Sequence, residues 1–301
     1  MKTLRIATRQ SPLALWQAEH VAARLRERFP ERPVELLPMS TRGDQLLQTS
    51  LARLGGKNLF IKELEQALLE GRADLAVHSM KDVGADLAPE FVIAAILPRD
   101  NPHDALVSNH FATLEALPAG ARVGTCSLRR QMQLLRLRPD LRLLDLRGNV
   151  QTRLNKLDAG EFDAIILACA GLRRLGLETR IGQELRQLIP AAGQGAIGIE
   201  CRADAPVRAL LQSLEDESTA RCVRAERAIA ARLGASCSVP LAAYAEALGG
   251  EIRLETLLAR PDGRDALHRV GQVPAAEALP LAERFAEEFL AAGAGAILAD
   301  L

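Results

Sequence analysis

Gly71-Arg72-Ala73-Asp74-Leu75-Ala76-Val77 and Gly160-Glu161-Phe162-Asp163-Ala164-Ile165-Ile166 share one pattern, Gly-x-x-Asp followed by an apolar run. In each, the glycine stops a helix and the apolar run reads as a buried strand. The elements upstream of the two copies also correspond. Before the first lie a short strand over 4–8, a helix opened by Ser11 as N-cap and Pro12 at its first position, and a strand over 34–39. Leu13, Leu15, Trp16, Val21 and Leu25 give that helix its expected apolar face. Asn58 is placed to cap a further helix carrying Phe60, Leu64, Ala67 and Leu68, which Gly71 ends. Before the second copy lie a strand over 123–125, a helix over 128–137 capped by Ser127, a strand over 141–146, and a helix reaching Ala159. Alternating strands and helices predict a mostly parallel sheet with helices on its faces. Two such units predict two similar α/β lobes facing each other across a cleft. Ligands then bind at the carboxyl ends of strands.

The last third reads differently. A helix over 219–233 leads to the small-residue loop Gly234-Ala235-Ser236-Cys237-Ser238. Alternating runs over 241–248, 252–258 and 266–270, with turns at Gly249-Gly250 and Pro261-Asp262-Gly263, predict antiparallel strands. A helix over 275–291 follows. This is a small α+β domain.

Composition narrows the function. The 301 residues are 48% hydrophobic and 25% charged, ordinary for a globular protein. Basic and acidic residues balance at 38 each, which counts against a general nucleic-acid binder, as does an aromatic content of only 3%. Only five of the 38 basic residues are Lys (2, 57, 62, 81 and 156), so 33 are Arg. Arg grips carboxylates and phosphates with a planar fork. The N-terminal residues lack a signal-peptide core, and no long uncharged apolar run is present, so the expected compartment is the cytoplasm with no membrane. Five cysteines, at 126, 169, 201, 222 and 237, show no CxxC spacing and support neither a disulfide framework nor a metal site.

The placement of Arg is the strongest local signal. Arg9 lies just before the Ser11 cap, Arg129 and Arg130 in the first turn after Ser127, Arg147 beyond a strand, and Arg153 in the first turn of the next helix. Cations there oppose the helix macrodipole, whereas anions favour the same place. The set suggests a cleft lined for a polyanion, against the plainer alternative of surface Arg pairing with local acids. Asp82 follows a buried strand beside Lys81. A carboxylate among cations stays ionised and can hold a cationic or N–H-rich group, unless it merely caps the next turn. His78 reads as a packed strand-end histidine. Cys237, in a loop of small residues, suits an accessible thiol, with an inert loop cysteine as the alternative.

These residues fall into longer motifs: Arg5-Ile6-Ala7-Thr8-Arg9-Gln10-Ser11-Pro12-Leu13-Ala14, Val77-His78-Ser79-Met80-Lys81-Asp82, Ser127-Leu128-Arg129-Arg130, Leu146-Arg147-Gly148-Asn149-Val150, Gly171-Leu172-Arg173-Arg174-Leu175-Gly176 and Ala192-Gly193-Gln194-Gly195. In this order, and with Cys237 beyond them, the chain resembles the porphobilinogen deaminase (hydroxymethylbilane synthase) family. The resemblance implies a transferase that joins four porphobilinogen molecules head to tail into hydroxymethylbilane, with release of ammonia. It implies a dipyrromethane cofactor on Cys237 through a thioether and Asp82 as the catalytic residue. Lys81, Ser127, Arg129, Arg130 and Arg147 are implied as cofactor contacts. Arg9, Ser11, Arg153, Arg174, Lys57 and Phe60 are implied on the substrate side, with no metal.

The implied fold is two similar mixed-sheet α/β lobes, periplasmic-binding-protein-like, around a cleft, plus a small α+β C-terminal domain. The domains would be 1–97 with 196–215, 98–195, and 216–301. The only partner expected is the small substrate, with a monomeric chain. Ser236, Cys126, Asn58 and Gly84 depart from the pattern without removing a reacting group. A solute-binding or sensor module is the rival reading. It has no use for a derivatised Cys237.

Overall fold

The computed structural model describes residues 3–41, 61–84, 87–234 and 239–299. The described elements run β1 (Leu4–Arg9), α1 (Pro12–Arg28), β2 (Val34–Met39), α2 (Lys62–Leu69), β3 (Leu75–Ser79), β4 (Phe91–Ile96), β5 (Asp104–Val107) and β6 (Arg122–Gly124). They continue with α3 (Leu128–Leu137), β7 (Arg142–Leu144), α4 (Val150–Asp158), β8 (Ala164–Ala168), α5 (Cys169–Arg174), β9 (Gln183–Leu185) and β10 (Ile197–Arg202). The last are α6 (Arg208–Gln212), α7 (Glu217–Arg232), β11 (Leu241–Leu248), β12 (Glu251–Leu258), β13 (Leu267–Pro274), α8 (Ala278–Ala291) and α9 (Ala294–Ala299). The chain divides into two compact units, residues 1–100 with 196–220, and 101–195 with 221–301.

The first unit holds a five-stranded sheet in the order β2-β1-β3-β10-β4. β2, β1 and β3 are parallel, whereas β10 runs antiparallel to both of its neighbours, β3 and β4. Both faces are buried because successive side chains alternate across the sheet. Ile6, Leu75 and Val77 pack with Val21, Ala22 and Leu25 of α1, while Ala7 and Ala76 pack with Leu64, Ala67 and Leu68 of α2. The second unit repeats the plan in the order β7-β6-β8-β5-β9, with β7, β6 and β8 parallel and β5 antiparallel to β8 and β9. Val123, Ala164 and Ile166 face Leu134 of α3, and Ile165 and Leu167 face Leu154 and Leu157 of α4. The sheets are therefore mixed, not mostly parallel. β4, β5, β9 and β10 are unmarked by the sequence pattern; β10 and β5 run against the other strands of their sheets, and β4 and β9 pair with them at the edges.

Within the second unit, β11-β12-β13 form an antiparallel sheet whose inner face packs on α7, α8 and α9 through Ile229, Leu254, Phe285 and Phe289. β11 spans the run predicted for it, and α9 is an addition to the expected elements.

Several local expectations need correction. On α1 the buried face is Gln17, Ala18, Val21, Ala22 and Leu25. Trp16 lies outside it, 38% exposed and stacked on His20 at 5.1 Å between ring centroids. The strand expected over 141–146 shortens to the three residues of β7. α2 starts at Lys62 with Ile61 in the N-cap position, and Asn58 lies outside the described residues.

Candidate active site

β1 and β3 are adjacent parallel strands, so their carboxyl ends leave the first sheet side by side. Arg9 ends β1, and Ser11 follows as the N-cap of α1, its Oγ accepting from the Ala14 N–H at 3.4 Å. Beyond β3 the chain makes a short 3-10 turn, Met80–Asp82, in which Met80 is buried, Lys81 half-buried and Asp82 exposed. The structure thus brings Arg9, Ser11, Lys81 and Asp82 to one end of one sheet. Asp82 enters no ion pair among the described residues, which leaves its carboxylate open to a substrate.

The second unit gathers its candidates in the same way, beyond the carboxyl ends of β6, β7 and β8. Ser127 holds the N-cap position of α3, but its hydroxyl makes no cap bond. Its N–H donates to Thr125 Oγ1 at 3.2 Å instead. Asn149 does cap α4, accepting from the Thr152 N–H at 2.9 Å. Arg147 is half-buried, with Nη2 3.5 Å from Asp145 Oδ2. Arg153 Nε donates to Gly148 O at 2.8 Å. Arg174, on α5, is buried and donates from Nη2 to Gly195 O at 2.6 Å.

Arg129 and Arg130 are buried in the first turn of α3, where the macrodipole disfavours them. Their compensation is Asp104, fully buried at the start of β5. It accepts from Arg129 Nη2 at 2.7 Å and from Arg130 Nε and Nη2 at 3.0 and 2.7 Å. Arg130 Nη1 donates to Ile166 O at 2.8 Å, so every nitrogen of that guanidinium has a partner inside the unit. Burial alone pushes the Asp104 carboxyl up, but the two guanidinium charges and their hydrogen bonds outweigh it and hold it well below the usual carboxylate range. Arg129 Nη1 donates to Ile189 O at 2.7 Å, and Nε remains a buried donor without a partner among the described residues. An orphaned guanidinium N–H in the same helix-start turn as Ser127, whose hydroxyl makes no cap bond, fits a carboxylate-bearing group such as a dipyrromethane.

Lys57, Phe60 and Cys237 lie outside the described residues. Among the described cysteines, burial pushes the Cys169 thiol up to about 12 and the Cys201 thiol up to about 11, which makes both inert at neutral pH.

Sequence reasoning passed over Asp104, Glu200 and Glu226, and took Gln194 only as part of the Ala192-Gly193-Gln194-Gly195 motif. Gln194 Nε2 donates to Asp104 Oδ1 at 3.0 Å and to Pro102 O at 2.6 Å. Glu226 accepts from the Gly193 and Ala245 N–H groups at 2.7 and 2.8 Å. Their signal was available: Asp104 opens an apolar run, and Glu200 stands alone inside one. A cavity of about 370 Å³ opens at the opposite end of the first sheet, beside Leu4 and Asp74, and none of the candidate residues lines it.

Arginines and one open carboxylate, presented at the carboxyl ends of parallel strands, define the class: an α/β enzyme for small anionic substrates. Two family models match the chain, "Porphobilinogen deaminase, dipyromethane cofactor binding domain" over residues 4–208 and "Porphobilinogen deaminase, C-terminal domain" over residues 220–291. The chain belongs to the porphobilinogen deaminase family. It is 56% identical over 300 residues to the porphobilinogen deaminase of Dichelobacter nodosus, covering 99% of this chain and 98% of that protein. It is 54% identical over 304 residues to that of Xanthomonas euvesicatoria, covering the whole of both. Among solved structures, the VFT2 domain of BvgS from Bordetella pertussis aligns with a TM-score of 0.45 at 16% identity, over 70% of this chain and 86% of that one. The periplasmic aliphatic sulphonate binding protein SsuA from Escherichia coli aligns with a TM-score of 0.43 at 16% identity, over 96% and 87%.

Proposed function

We propose that Asp82 is the catalytic residue of this chain and that Cys237 carries its dipyrromethane cofactor through a thioether. Arg129, Arg147 and Ser127 would hold the cofactor's carboxylates, with Arg130 and Lys81 supporting them. Arg9, Ser11, Arg153, Arg174, Lys57 and Phe60 would receive the substrate. The chain is a transferase of tetrapyrrole biosynthesis: it condenses four porphobilinogen molecules head to tail into hydroxymethylbilane and releases ammonia. The observation that carries the assignment of Asp82 is its exposed carboxylate at the carboxyl end of β3, beside Arg9 and Ser11.

Each porphobilinogen brings an acetate, a propionate and an aminomethyl group. The Arg side chains bind and orient the two acids, and their forks suit carboxylates better than point charges do. Departure of ammonia leaves positive charge on the pyrrole ring and its N–H. The Asp82 carboxylate, fixed at a strand end, accepts that N–H and stabilises the charge as it develops. When bound, the dipyrromethane supplies a terminal pyrrole whose free α-carbon is the nucleophile. Asp104 touches neither partner. It keeps Arg129 oriented so that Nε stays available.

Three further readings go with this function. The protein acts as a monomer. It works in the cytoplasm. Its domains are 1–97 with 196–215, 98–195, and 216–301, the last boundary supported by family models that part between residues 208 and 220.

The test is one preparation with two readouts. Purified protein incubated with porphobilinogen should release ammonia, and its intact mass should exceed the sequence mass by two pyrrole units. Cys237→Ser should lose that excess. Active enzyme with the bare sequence mass would sink the covalent assignment, and failure to release ammonia would sink the reaction.

A further inference from the structure

Asp82 sits in a turn of three residues with little structure of its own, so its place is inherited from what lies behind it. β3 and β10 pair antiparallel there, with His78 opposite Gly198 and Ala76 opposite Glu200. The Met80 N–H donates to Ala196 O at 3.0 Å, and the Met80 sulfur lies so close over Gly198 that a Cβ there would clash with it. His78 Nε2 and Glu200 Oε2 are 2.7 Å apart, a distance that needs a hydrogen between them, and both side chains are buried. Glu200 Oε1 is buried and has no partner among the described residues. From α2, which packs on β10, Glu65 Oε1 is buried and likewise has no partner among the described residues.

We propose that His78, Glu200 and Glu65 form one proton-sharing cluster that holds the carboxyl end of β3, and that they are positioning residues for Asp82. A buried carboxyl oxygen without a partner is costly, and a proton on either carboxyl turns one of its oxygens into an O–H donor. Burial pushes the Glu65 carboxyl up, and the charge of Glu200 adds to this, so Glu65 takes a proton more readily than an ordinary glutamate. Glu90 acts in the same sense, and His78 and Lys62 oppose it. The cluster spans α2, β3 and β10 and ends four residues before Asp82. The inference rests on Asp82 being the catalytic carboxylate.

The test is a double-mutant cycle in purified holoenzyme, with Glu200→Gln made in the native and Asp82→Asn backgrounds. Misplacing a catalytic group from behind costs roughly 10- to 100-fold in rate. Glu200→Gln should lose about that factor in kcat in the native background, with KM within about twofold, and less than about twofold in Asp82→Asn. Amide exchange across residues 75–84 should quicken in Glu200→Gln, a readout independent of turnover. Equal losses in both backgrounds, or unchanged kcat and exchange in a folded variant, would overturn the positioning role. Near-normal turnover in Asp82→Asn alone would instead overturn the assignment of Asp82, and this inference with it. If Glu200→Gln does not fold, Glu65→Gln, at a part-exposed position on α2, is held to the same outcomes.

Discussion

Asp82→Asn keeps the size of the side chain and removes its charge. The residue is exposed and enters no ion pair among the described residues, so the fold has little to lose. The variant should unfold at the native temperature and retain the two-pyrrole mass excess, yet turn over roughly 100- to 1,000-fold more slowly, the usual loss for a group that stabilises transition-state charge. Steady-state ammonia release and intact mass check this together, and turnover within a few-fold of native would remove Asp82 from the mechanism. At this scale the sequence was informative about which residues stand out and less so about how they are used. Arg129 and Arg130 stood out as cations in a first turn, but their partner Asp104 lies 25 and 26 residues away, and only folding brings them into contact.

The Arg147-Gly148-Asn149 corner joins β7 to α4 and carries the candidate Arg147, with the candidate Arg153 just beyond it in α4. Gly148 has φ +114, a conformation that side chains rarely adopt, and a Cβ there would lie 2.7 Å from the Thr152 Cβ. Its carbonyl also accepts from Arg153 Nε. Gly148→Ala should therefore cost about 1–3 kcal/mol in stability. It should also raise KM for porphobilinogen, because Arg147 and Arg153 shift with the corner. Urea unfolding and steady-state kinetics measure the two effects, and an unchanged KM would detach the corner from substrate binding. Elements with local punctuation were legible: Ser11-Pro12 opens α1, and Gly71 and Gly160 follow the ends of α2 and α4 with positive φ, whereas the Asn149 cap of α4 was not read. Apolar periodicity alone misled on α1. It assigned Trp16 to the core, whereas the neighbouring Gln17 is buried and donates to Ser79 Oγ at 2.8 Å.

On the scale of the molecule, Asp104 joins β5 to the start of α3 and to Gln194, and so ties together segments spread over the second unit. Its carboxyl is held below the usual range in the folded chain. The stability it contributes is therefore fully present above the unfolded value near about 3.9 and is lost as pH falls below it. Native protein should lose stability steeply on that acid side. Asp104→Asn should flatten this part of the profile and, by leaving two buried guanidiniums uncompensated, cost roughly 3–5 kcal/mol at neutral pH. Urea midpoints from neutral pH into acid test it. A variant as stable as native, with the same acid limb, would show that the Arg pair needs no buried counter-ion.

The sequence by itself determined the two repeated strand–helix units, the start of α1, the β11–β12 hairpin and the residue types of an anion site, because caps, turns and apolar periods act over a few residues. It also carried the long motifs of the family. The family resemblance implied mixed sheets, but which strands run antiparallel was decided only by the tertiary structure. β10 and β5 are short apolar runs that look alike whether parallel or antiparallel, and β10 finds β3 across some 120 residues, as the 122-residue separation of His78 and Glu200 shows. The same holds for the buried charges. An acid in an apolar run is visible in a sequence, but whether it neutralises an arginine, shares a proton with a histidine or is left unpaired depends on which distant strand packs against it, and that is set by burial of the whole sheet.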